Sequence, residues 1–99
     1  MLNISKTIDN GKAVYTLKGR LDTVTAPELE NDLKDALAGI TSLTMDFAEL
    51  EYISSAGLRV LLSAQKTMNK QGEMKIIHVN DTIMEIFEVT GFVDILTIE

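Results

Sequence analysis

The chain has 99 residues, 45% hydrophobic and 24% charged, with no cysteine and no tryptophan. Such a length and composition suit one globular domain, argue against disorder, and exclude disulfide scaffolds and thiolate chemistry. Nine Lys and Arg against fifteen Asp and Glu give a net charge of −6, which removes the basic footprint that nucleic acid or an anionic membrane requires.

A chain of this mass should expose about 5,600 Å² when folded. No apolar run exceeds three residues, so no membrane-spanning helix is expected. The opening Met1-Leu2-Asn3-Ile4-Ser5-Lys6 has no basic stretch followed by an apolar one, so no secretory signal is expected and a cytoplasmic protein is.

Leu2, Ile4 and Ile8 fall on one face of an extended segment. Asp9-Asn10-Gly11 follows as a hairpin turn, because Asn-Gly accepts the positive φ values of a type I′ turn. Ala13–Lys18 returns as a second strand, and Gly19-Arg20-Leu21-Asp22 leads out of it. Thr25-Ala26-Pro27-Glu28 reads as a helix start, with Thr25 as cap and Glu28 closing a capping box. Leu29, Leu33, Leu37 and Ile40 continue the apolar stripe, and Gly39 is placed to end it.

Leu43, Met45 and Phe47 alternate with polar residues as a strand, and Ala48–Ile53 reads as a short connection. Ser54 or Ser55 then starts a second helix, with Leu58, Leu61, Leu62 and Met68 inside and Gly72 at its end. Met74–Val79 is apolar on both faces, as a central strand would be. Thr82 and Glu85 form a second capping box, Ile83, Ile86 and Phe87 a third helical stripe, and Gly91 a stop. Ile95–Ile98 is expected as a last short strand. The order β-β-α-β-α-β-α-β predicts a single α/β domain over residues 1–99 with one mixed sheet.

The chemistry-bearing segment is Tyr52-Ile53-Ser54-Ser55-Ala56-Gly57-Leu58-Arg59, which runs into a helix start. Helix N-termini present free N–H groups and favour negative charge. A serine there is either an ordinary N-cap, worth about 1 kcal/mol, or the acceptor of an added phosphate. Ala56-Gly57 allows a visiting molecule close to the backbone, or else simply lets helix and sheet pack closely. A nucleophilic serine needs a base, and His78, the one histidine, reads instead as a packing or edge residue. Gly-x-Ser-x-Gly and Gly-x-x-x-x-Gly-Lys patterns are both absent. Asp22, Asp46, Glu49 and Glu51 show no calcium-loop spacing. No enzyme activity, metal or cofactor is expected. An anion-binding or nucleotide-binding module remains the alternative reading.

Tyr52–Leu62 resembles the phosphorylation segment of bacterial anti-sigma factor antagonists, the STAS domain family. Gly19-Arg20-Leu21-Asp22-Thr23-Val24-Thr25-Ala26 resembles the family's segment before its first helix. Leu43–Phe47 and Gly72-Glu73-Met74 are similar to two of its strand segments. The resemblance implies a mixed sheet with helices mostly on one face. It also implies binding to an anti-sigma factor that is often a serine kinase, release of a sigma factor, and restoration by a metal-dependent serine phosphatase. By position it implies Ser55 as the phosphorylated residue. Ser54 stands where many members carry Asp and is a second candidate acceptor, and Arg59 stands where many carry Gly. Asp22, Thr23, Thr25, Ser54, Ser55, Ala56, Gly57 and Arg59 are the implied partner-binding residues. A monomer is expected, and the resemblance leaves a STAS scaffold module without phosphorylation as a second alternative.

Overall fold

The computed structural model describes residues 1–99. In chain order it contains β1 (Leu2–Asp9), β2 (Lys12–Leu21), α1 (Ala26–Ala36), β3 (Ser42–Ile53), α2 (Ser55–Gln71), β4 (Glu73–Ile77), α3 (Asp81–Thr90) and a short 3₁₀ turn, Phe92–Asp94. The four strands form one sheet in the order β1-β2-β3-β4. The β1–β2 pair is antiparallel, and β2–β3 and β3–β4 are parallel. The surface is 5556 Å², in line with the mass.

Alternation decides which face the helices cover. Ala13, Tyr15 and Leu17 of β2, Leu43, Met45 and Phe47 of β3, and Met74 and Ile76 of β4 are all buried, while Val14, Thr44, Asp46 and Lys75 point the other way. Register aligns Tyr15, Met45 and Ile76 in one row across three strands. Leu29 and Leu33 of α1, Leu61 and Met68 of α2, and Ile83 and Phe87 of α3 close over that face in one continuous core. Asn10 and Gly11 make the β1–β2 turn at φ +50° and +78°, the left-handed geometry of type I′.

Several boundaries differ from the sequence expectation. Ala48–Ile53 is not a connection but the second half of β3, paired with β2 alone. Two register shifts give β3 one extra residue between Thr16 and Lys18 and another between Gly19 and Arg20. Such bulges destroy a period of two, so the segment reads as a loop. Ile8 lies exposed near the hairpin end. The strand β4 is an edge rather than a centre, and it stops at Ile77. The expected strand Ile95–Ile98 reduces to one parallel bridge, Ile76 to Ile98, held by Ile76 N–H to Thr97 O and Glu99 N–H to Ile76 O, each 2.9 Å. Gly91 at φ +80° and the 3₁₀ turn use up the length a longer strand would need.

Neither capping box forms. Thr25 occupies the N-cap of α1 in helical geometry without a capping bond. The cap of α3 is Asn80, not Thr82: its side-chain oxygen accepts from Ile83 N–H at 2.9 Å while its amide donates to Leu50 O at 2.9 Å. A side chain that caps its helix and also ties it to β3 satisfies two backbone groups at once.

Candidate functional site

The start of α2 is set by the ends of two parallel strands. Leu21 and Ile53 are register partners at the ends of β2 and β3. Ser54 N–H donates to Leu21 O at 2.9 Å, which fixes Ser54 in extended geometry. Its hydroxyl then accepts from Gly57 N–H at 3.4 Å, and its carbonyl takes the first helical bond from Leu58 N–H at 2.9 Å. Ser54 is therefore the cap. Ser55 is the first helical residue, exposed, with the capping bond made by its neighbour. The first turn of α2 carries no acidic residue, whereas α1 has Glu28 and α3 has Asp81 there. The positive end of the α2 dipole is left without a carboxylate.

Gly57 has a packing reason. A Cβ at this position would sit 2.8 Å from Ile53 Cγ1 and 2.8 Å from Leu21 Cγ, both in fully buried side chains. The glycine lets α2 settle on the two strand ends. It does not open the backbone to a visiting molecule, because it is itself buried.

The segment after β2 is knotted by Asp22 and Thr25. Asp22 Oδ1 accepts from Val24 N–H and Thr25 N–H, each at 3.0 Å. Thr25 Oγ1 accepts from Asp22 N–H at 2.9 Å and donates to Arg20 O at 2.8 Å. The Thr25 N–H, then Val24 N–H and the Thr25 hydroxyl, hold the Asp22 carboxyl below the usual carboxylate range. Thr25 is buried at 4% exposure, which corrects its assignment as a contact residue: its hydroxyl is committed to the turn.

Arg20 and Tyr52 belong to the same end of the molecule, and sequence reasoning missed both. They are register partners. The Arg20 guanidinium carbon lies 4.4 Å from the centre of the Tyr52 ring, a cation–π contact. Its Nε lies 3.9 Å from Asp22 Oδ2. Only the bulged register puts these side chains together.

Thr23, Ala26, Pro27 and Glu30 on one side and Ala56, Arg59 and Val60 on the other line a shallow groove of about 230 Å³ between α1 and α2. Of the residues singled out from the sequence, Thr23, Ala56 and Arg59 meet there. Ser55 lies at the mouth of the same helix, and Asp22, Thr25, Ser54 and Gly57 build the scaffold beneath.

His78 does not serve either serine. Its Nδ1 lies 2.9 Å from Asp46 Oδ1, on the face of the sheet away from the helices. Burial pulls the Asp46 carboxyl up, but the Ala48 N–H and His78 outweigh it and hold it low. No three His, Asp or Glu side chains converge on a metal-sized site. No helix is long and apolar enough to cross a membrane.

Comparison with known proteins agrees with this arrangement. The family model described as the STAS domain matches residues 3–99. The chain is 33% identical to the anti-sigma-B factor antagonist of Listeria monocytogenes over 104 aligned residues, 99% of this chain and 90% of that protein. An anti-sigma factor antagonist from Mycobacterium paratuberculosis superposes with a TM-score of 0.89 at 21% identity, over 99% of this chain and 85% of that one. The Bacillus cell fate determinant SpoIIAA in its phosphorylated form gives 0.75 at 16% identity, over 100% of this chain and 91% of that one. With the family matched from the first strand to the last residue and the same mixed sheet beneath it, the chain belongs to the STAS domain family.

Proposed function

We propose that residues 1–99 act as a single STAS-like domain, an anti-sigma factor antagonist. In its unmodified form it binds an anti-sigma factor that is a serine kinase and so releases a sigma factor. Phosphorylation of Ser55 ends the binding, and a metal-dependent serine phosphatase restores it. The domain works as a cytoplasmic monomer without a cofactor.

The observation that carries this reading is the division of work between two adjacent serines. Ser54 caps α2, so its hydroxyl is engaged. Ser55 is exposed one residue on, where unsatisfied N–H groups and the helix dipole receive an added anion. A phosphate there adds about −1.5 to −2 charge without dismantling the cap. Arg59 follows at i+4, on the same face of α2, and Thr23, Glu30, Ala56 and Arg59 offer a partner a small surface with one charge of each sign. A partner packed over Ser55 accommodates a hydroxyl, whereas a phosphate brings bulk and about −1.5 to −2 charge that Arg59 alone does not balance. The name of the Listeria monocytogenes relative and the solved phosphorylated form of SpoIIAA support the reading.

The test is mass spectrometry of the protein after incubation with its kinase and ATP, with Ser54→Ala and Ser55→Ala variants alongside. Phosphate is expected on Ser55 and absent from Ser55→Ala. Phosphate on Ser54 alone, or on neither serine, overturns the assignment. In a binding assay Ser55→Asp should weaken the complex with the anti-sigma factor by about a hundredfold, equivalent to roughly 3 kcal/mol, and Ser55→Ala should leave it intact.

A further inference from the structure

Charge is unevenly spread along the chain. Residues 1–77 hold all nine basic and ten acidic residues. Residues 78–99 hold Asp81, Glu85, Glu88, Asp94 and Glu99 and neither lysine nor arginine. Five of the six net negative charges therefore lie on α3 and the tail behind it, and all five side chains are exposed. Lys75, at 3.8 Å from Glu99, is the one cation that reaches this region.

The same surface exposes apolar side chains. Ile83 and Phe87 face the core, while Val89 is 81% exposed, Ile95 45% and Val93 37%. Thr82, Glu85, Ile86, Val89 and Thr90 line one shallow depression of about 280 Å³. Their spacing of i, i+3, i+4, i+7 and i+8 keeps them on one side of α3. None of them lines the groove beside Ser55. Exposed apolar side chains beside charges of a single sign suit a partner of opposite charge.

We propose that the outer face of α3 is a second docking surface, for a basic amphipathic polypeptide segment, used independently of the Ser55 end. Electrostatics selects the occupant. A second copy of this chain would press five acidic groups against five. Anionic lipid and nucleic acid are repelled for the same reason. A helix carrying lysine or arginine beside leucine or isoleucine meets both the rim charges and the exposed valines. The domain can then stay attached to one partner through α3 while the Ser55 end binds and releases another. This assignment stands apart from the proposed switch and survives its failure.

The probe is a synthetic helical peptide of leucine and lysine at i, i+3, i+4 spacing, titrated into the full chain and followed by amide NMR shifts. A peptide with glutamate in place of lysine is the control. Expected are shifts confined to residues 81–96, no response to the control, and affinity about tenfold weaker in both Val89→Ser and Glu85→Gln. Ser55→Asp should leave the affinity within about twofold. Absence of binding, shifts centred on the α1–α2 groove, or an affinity indifferent to Val89→Ser each overturn the proposal. So does concentration-dependent dimerisation in sedimentation that Val89→Ser abolishes, since it gives the face to a second copy.

Discussion

Gly57→Ala sets two known effects against each other. Alanine in a helix is favoured over glycine by about 1 kcal/mol, so the change alone should stabilise α2. The new Cβ, however, would sit 2.8 Å from Ile53 Cγ1, 2.8 Å from Leu21 Cγ and 3.1 Å from Leu21 Cδ2. The two nearest are inner atoms, and both side chains are buried, with 2% and no exposure, so they cannot swing aside into solvent. Overpacking of this kind costs about 1–3 kcal/mol. At the middle of that range it exceeds the propensity gain by about 1 kcal/mol. For a domain of this size 1 kcal/mol moves Tm by roughly 4–8 °C, so Gly57→Ala should melt lower by that amount. Urea unfolding should show the same loss at an unchanged slope.

A second variant isolates the cause. Leu21→Ala removes two of the three obstructing atoms, leaving Ile53 Cγ1, and by itself costs about 2–5 kcal/mol. In that background the Gly57→Ala penalty should shrink, because only Ile53 Cγ1 still crowds the new Cβ, a coupling of about 1–3 kcal/mol between contacting residues. A Gly57→Ala protein as stable as the parent, or a penalty undiminished without Leu21, would refute the packing account and return Gly57 to the role of an open approach to the backbone.

Ser54→Ala should cost about 1 kcal/mol through loss of the cap, whereas Ser55→Ala should stay within about 0.5 kcal/mol; equal effects in thermal melts would contradict the division of work between them. The Tyr15 hydroxyl donates to Asp32 Oδ1, which also accepts from Lys6 Nζ at 2.8 Å, so Asp32→Ala should cost about 1–3 kcal/mol by leaving that hydroxyl only the distant backbone oxygen of residue 32, at 3.5 Å, and more than Tyr15→Phe does. Asp22, Asp32 and Asp46 all titrate below the usual carboxylate range when folded. Their contribution is therefore complete above about pH 4, where the unfolded carboxyls ionise, and is lost as pH falls through the lower folded values; a urea midpoint unchanged between pH 5 and pH 3 would contradict this. Burial and the Asp32 bond raise the Tyr15 phenol well above its ordinary value, so stability should decline again as pH climbs past about 10.

The sequence alone determined what depends on neighbours along the chain. Asn10-Gly11 specifies its own turn because the required φ values belong to those residues. The apolar periods of Leu29–Leu33, Leu58–Met68 and Ile83–Phe87 specify three helices, and Gly91 stops the third at φ +80°. Ser54 and Ser55 mark a helix start from their residue type. Tertiary structure decided whatever depends on a partner far away in sequence. Pairing with β2 makes Ala48–Ile53 a strand although its bulges erase the alternation. Leu50 O draws Asn80 into the capping position ahead of Thr82. Register stacks Arg20 on Tyr52, and the bond from Ser54 N–H to Leu21 O decides which serine caps and which stands free. A backbone amide takes the best acceptor in reach, and which acceptor is in reach is a property of the folded chain.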